Sequence, residues 1–136
     1  MAARTKSRKR ALDILYAAEM RGQDPVATLD AAIEDGEGPT NPHTETLVRG
    51  VCEHRARIDE LLSTYSEGWT LDRMPAVDRT VLRIGVFELL WADDVPPAVA
   101  VTEAVALVRD LSTDDSPAFV NGVLGAMLRD RGSLTP

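Results

Sequence analysis

Three segments of this chain open on a short polar residue followed directly by proline: Asp24-Pro25, Asn41-Pro42 and Ser116-Pro117. Each pair reads as a helix start. The side-chain oxygen can accept from amide N–H groups that a first helical turn leaves unpaired, and proline stands where its missing N–H costs nothing. The apolar spacing agrees. Val26, Leu29 and Ile33 predict a short amphipathic helix that stops near Gly36, after which "GEGPTNP" predicts a loop. From Pro42 onward, Leu47, Val48, Val51, Ile58, Leu61, Leu62 and Tyr65 predict one long helix. Phe119, Val120, Val123, Leu124, Met127 and Leu128 mark the last one.

The stretches between follow the same period. Ala11, Ile14, Leu15 and Ala18 share one face of an opening helix, with Leu12 at its border. "TLDRMPAVDRTVLRIGVFELLW" predicts a short turn broken at Pro75, then a helix carrying Val77, Val81, Leu82, Ile84 and Leu89. Pro96-Pro97 open another with Val101, Ala104, Val105 and Val108, widened by Leu107 and Leu111; its broad apolar girth predicts deep burial. Asn121-Gly122 predicts a close helix approach, and Trp69 and Trp91 predict packing at bundle edges or a place in an interface. No alternating run competes. The expectation is an all-α fold of about seven helices in two packed bundles of three or four helices each. They make one domain over 1–136, with subdomains of about 1–66 and 67–136.

Catalysis finds no footing in this pattern. His43, Cys52 and His54 are the soft metal-ligand candidates, but on a helix Cys52 and His54 point about 200° apart and cannot readily share an ion. A packed cysteine and surface histidines are the plainer reading. Asp93-Asp94 and Asp114-Asp115 precede helix starts, where carboxylates suit the helix dipole, and Glu88 reads as half of an ion pair with a nearby Arg. No enzyme, cofactor or metal is expected. No apolar run approaches the roughly 18 residues of a membrane span, and no secretory leader is apparent. The single cysteine fits a reducing cytoplasm.

Charge is where the chain departs from an ordinary acidic domain. Arg4, Lys6, Arg8, Lys9 and Arg10 put five cations and no acid in the first ten residues of a chain with net charge −7. Cations at a helix N-terminus oppose its dipole, so a merely soluble helix would carry acids there. On the helical wheel Lys6, Lys9 and Arg10 project away from the apolar face, with Tyr16 on that side too. The block is either a solvated tail or a phosphate-binding surface; aromatics able to stack bases are few (Tyr16, Tyr65, Trp69, Phe87, Trp91 and Phe119), and single-stranded RNA is read by such stacking more than by groove insertion.

At "WTLDRMPAVDRTVLRIGVFELL", at "DVPPAVAVTEAVALVRDLSTDDSPAFVNGVLGAML" and at the basic start running into "ALDILYAAEM", the chain resembles the NusB family of bacterial transcription antitermination factors, in its actinobacterial form. The resemblance covers almost the whole length. It implies an all-helical fold of two perpendicular bundles and no enzymatic activity. It also implies binding to the boxA segment of ribosomal RNA operon transcripts beside the small-subunit ribosomal protein NusE, with other Nus factors and RNA polymerase in the complex. By the same resemblance, RNA contacts fall on Arg4, Lys6, Arg8, Asp72, Asp115 and Phe119, and the protein partner meets Tyr16, Arg73 and Asp78. The residues supply reasons of their own. Phe119, in the first turn of the last helix, can lie under a base, and the Asp115 carboxylate can accept from base amino groups while repelling phosphate. Two alternatives stay open: a homodimeric helical scaffold that uses the opening helix as its interface, and an RNA-binding accessory domain of an RNA methyltransferase. The latter would make this chain a fragment.

Overall fold

The cap at Asp24 forms as its sequence predicts, its Oδ1 accepting from the Val26 N–H at 3.0 Å. The computed structural model describes residues 2–136. Among them are seven α-helices, two 3₁₀ turns and no strands: α1 (Ala3–Met20), α2 (Pro25–Glu34), α3 (Pro42–Glu53), α4 (Arg55–Tyr65), α5 (Ala76–Trp91), α6 (Pro97–Leu111) and α7 (Ser116–Asp130), with 3₁₀ turns at Leu71–Arg73 and Arg131–Ser133. They fall into two compact units, the first ending at Glu53 and the second beginning at His54.

That division lies ahead of the expected boundary near 66, because the helix predicted to run on to Tyr65 breaks at His54. Neither proline nor glycine marks the break. His54 stacks on Trp91 with ring centroids 4.3 Å apart and 14° between planes, and Phe87 lies 6.2 Å beyond. α4 then packs on α5 and α7 as part of the second unit.

In the first unit α1 packs on α3, with α2 against both. The side of α1 turned inward is Ser7, Arg8, Ala11, Leu12, Leu15 and Ala18. This stripe is rotated from the predicted one: Leu12 is buried and Ile14 half-buried. The two residues that open the stripe are polar, and one bond explains Ser7. Its carbonyl accepts from the buried Thr44 hydroxyl of α3 at 3.0 Å, while its own hydroxyl donates to the Ala3 carbonyl at 2.8 Å. Asn41 caps α3 through the His43 N–H at 2.9 Å. His43 is 7% exposed, so the expected surface histidine is a packed one.

In the second unit α5 is the central helix, buried without a gap from Thr80 to Leu89 between α4, α6 and α7. Sequence girth had pointed to α6, which instead leaves Val99 and Leu111 in solvent. Gly85 is where helices approach closely: a Cβ there would lie 2.6 Å from Leu124 Cδ1 of α7. The close approach expected at Gly122 does not occur, since a Cβ there would meet nothing within 4 Å. Polar anchors complete the unit. Arg83 holds Asp59 of α4 through two bonds of 2.9 and 3.1 Å, and Arg131 donates to the Leu89 carbonyl at 2.8 Å. A buried two-pronged pair of this kind fixes geometry more than it adds stability.

Candidate nucleic-acid interface

The basic block is helical from Ala3 onward, so Arg4 and Arg8 belong to α1 and not to a loose lead-in. Helical rotation sorts the five cations. Lys6 and Arg10, four residues apart on one face, line a cleft of about 390 Å³ with Ala3, Ser7 and the segment from Gly38 to Asn41. Lys9 instead pairs with Asp13 one turn on, its Nζ 2.7 Å from Oδ2. Arg8 is 3% exposed and packs in the inward stripe, while Arg4 is exposed outside the cleft. Tyr16 is exposed further along α1 and lines neither cleft described here. What the first unit offers an anion is therefore a pair of cations on a rigid helix beside a polar loop.

A second cleft, of about 450 Å³, lies wholly in the second unit, lined by Trp69, Arg73, Pro75, Asp78, Thr113, Asp115, Ser116 and Phe119. Residues expected in two roles, Asp115 and Phe119 for RNA and Arg73 and Asp78 for protein, thus share one depression. They do not share an exposure. Asp78 is 2% exposed, and its oxygens are taken by hydroxyls: Ser112 donates to Oδ1 at 2.5 Å and Ser116 to Oδ2 at 2.8 Å. A carboxylate spent in this way ties the start of α7 to α5 and cannot also reach out to a partner. Ser116, predicted to cap α7, is drawn inward instead; its Oγ donates to Asp78 and accepts from the Thr113 N–H at 3.2 Å.

The rim is set by the turn before α5. Arg79 Nη1 donates to the carbonyls of Leu71 and Met74 at 3.0 and 3.3 Å, which holds the 3₁₀ turn shut. Asp72 sits in that turn, exposed and outside the cleft. A hydrogen bond from Thr70 holds its carboxyl below its ordinary value, helped by its own backbone N–H and by the charges of Arg73 and Arg79. Trp69, expected at a bundle edge or in an interface, is 52% exposed, with its ring 5.4 Å from that of Phe119 and tilted 37°. It follows Glu67-Gly68, a turn with φ of 44° and 87°.

Among the described residues no group of three or more His, Cys, Asp or Glu is placed to hold a metal, and no helix is long and apolar enough to cross a membrane. Residues 5–129 match the profile of the NusB family. The chain belongs to the NusB family. It is 71% identical over 134 residues to the transcription antitermination protein NusB of a Nocardioides species, covering 98% of this chain and 99% of that one. It is 62% identical to that of Saccharopolyspora erythraea, over 92% of this chain and 86% of the other. Its fold is similar to that of T. maritima NusB, with TM-score 0.83 and 30% identity over 96% of this chain and 93% of that one. A structure described as antitermination factors NusB and NusE in complex with dsRNA is similar with TM-score 0.78 and 27% identity, over 93% of this chain and 96% of that one. As a NusB antitermination factor the chain is not an enzyme.

Proposed function

We propose that this NusB protein holds the boxA segment of nascent ribosomal RNA operon transcripts, together with the ribosomal protein NusE. With other Nus factors it would let RNA polymerase pass premature terminators in the cytoplasm. The observation that carries the reading is the pairing of Lys6 and Arg10 at one cleft on an otherwise acidic chain. Two cations one turn apart suit phosphates of a single strand, with the charge of the rest of the block adding to the local field. Asp115 and Phe119 supply what phosphate contacts lack, an acceptor and a ring face for bases. Arg73 and Tyr16 are the exposed candidates for the NusE contact, with Asp78 supporting from beneath. The similar NusB–NusE–dsRNA structure lends support from a relative.

Fluorescence anisotropy with labelled boxA RNA, a shuffled RNA of equal length and added NusE tests the proposal. BoxA should bind more tightly than the shuffled strand, and NusE should strengthen it. Equal retention of both RNAs with no response to NusE would overturn it. Sedimentation of the same samples reports the homodimeric alternative, which gains only if RNA leaves a dimer unchanged.

A further inference from the structure

We propose that Trp69 is a base-stacking residue, with its outer indole face taking one unpaired RNA base and Phe119 bracing the inner side. This rests on the RNA-binding reading above and adds a residue to it.

An indole that is half in water is a large apolar surface left unburied, yet its backbone is tightly held. The Ser66 hydroxyl, itself buried, donates to the Trp69 carbonyl at 2.6 Å, and the Trp69 N–H returns to the Ser66 carbonyl at 3.3 Å. Gly68, with φ of 87°, makes the left-handed turn that aims the next residue outward. Arg79 locks the 3₁₀ turn that follows. The ring is therefore presented from a fixed frame. A base cannot lie between Trp69 and Phe119, because a sandwich needs about 7 Å, twice the contact distance of carbon atoms, and these centroids are 5.4 Å apart. The free side is the outer one.

The cleft that Trp69 shares with Phe119 holds groups that a nucleobase can use. Arg73 offers donors, and Asp115 an acceptor, at the edge of the same cleft. The Asp78 oxygens are already taken by the Ser112 and Ser116 hydroxyls, which leaves Asp115 as the carboxylate with acceptor positions to offer in that cleft. A flat aromatic surface bordering a cleft that holds both a donor and an acceptor can stack a base and leave its polar edge within their reach.

The chain has two tryptophans, so Trp91→Phe leaves Trp69 as the sole reporter. Unpaired boxA RNA should quench its emission in step with binding. Trp69→Ala in the wild-type background should weaken binding by roughly five- to hundredfold, the range for losing one stacked base. Trp69→Phe should restore most of the loss, and the slope of affinity against salt should stay unchanged in both. Thermal melts of the variants separate stacking from folding. If Trp69→Ala binds RNA like the wild type while loss of Lys6 and Arg10 weakens binding and flattens its salt dependence, the stacking role falls and the RNA reading stands. Emission that answers NusE but not RNA would make Trp69 a protein contact and overturn the proposal. A wild-type chain that binds no RNA would overturn both.

Discussion

Replacing Lys6 and Arg10 together with alanine removes the cation pair that lines the cleft between α1 and the segment from Gly38 to Asn41. Single-stranded nucleic acid gives a log–log salt slope of about 0.7 per phosphate neutralised, so losing two contacts should make the slope shallower by about 1.4. Between 50 and 200 mM salt that amounts to about a sevenfold smaller loss of affinity for the double variant than for the wild type. Lys9→Ala is the internal control. Its ammonium already faces Asp13 at 2.7 Å, so it should change the slope by less than about 0.7. The assay is RNA affinity by anisotropy across a salt series, with a melt of each variant. Neither replacement should harm folding, because cations in the first turns of α1 oppose its dipole and alanine favours helix. An unchanged slope in the double variant, or Lys9→Ala matching it, would refute the assignment.

Asp115→Asn should bind RNA at least as tightly, since it removes a charge that repels phosphate while keeping an acceptor; clear weakening in the same assay would contradict that role. Asp78→Ala should cost about 2–5 kcal/mol in urea unfolding, because the Ser112 and Ser116 hydroxyls both lose their acceptor. Gly122→Ala should raise stability by about 0.5–1 kcal/mol, as the site is helical and open, whereas Gly85→Ala should lower it by forcing Leu124 aside. Asp72 should titrate below an ordinary carboxyl by NMR and move upward in Thr70→Val. Because its folded value is depressed, its contribution to stability is complete above about pH 4 and fades as pH falls through the folded value.

Local signals were legible in the sequence and long-range ones were not. The caps at Asp24 and Asn41 depend on atoms two residues away, so the chain alone reveals them. The break at His54 answers to Trp91, far along the chain, and nothing beside His54 announces it. α6 looked more buried than α5 because apolar girth says what a helix can bury, while position among neighbours decides what it does. Gly122 and Gly85 read alike, and only the presence of Leu124 opposite one of them tells them apart. Of the site, the cations and Phe119 were visible. That Arg8 turns inward was recoverable by extending the stripe of Leu15, Leu12 and Ala11 back one turn. The exposure of Trp69 depends on the turn that carries it.

The bond from Thr44 to the Ser7 carbonyl has a kinetic side. A loose basic arm must surrender its freedom each time it meets a polyanion, which weakens the encounter. Here the arm is seated on α3 during folding, so that loss precedes any transcript. On the proposed RNA reading, release from the nucleic acid would answer to salt and partner without requiring the helix that delivers the charge to unravel.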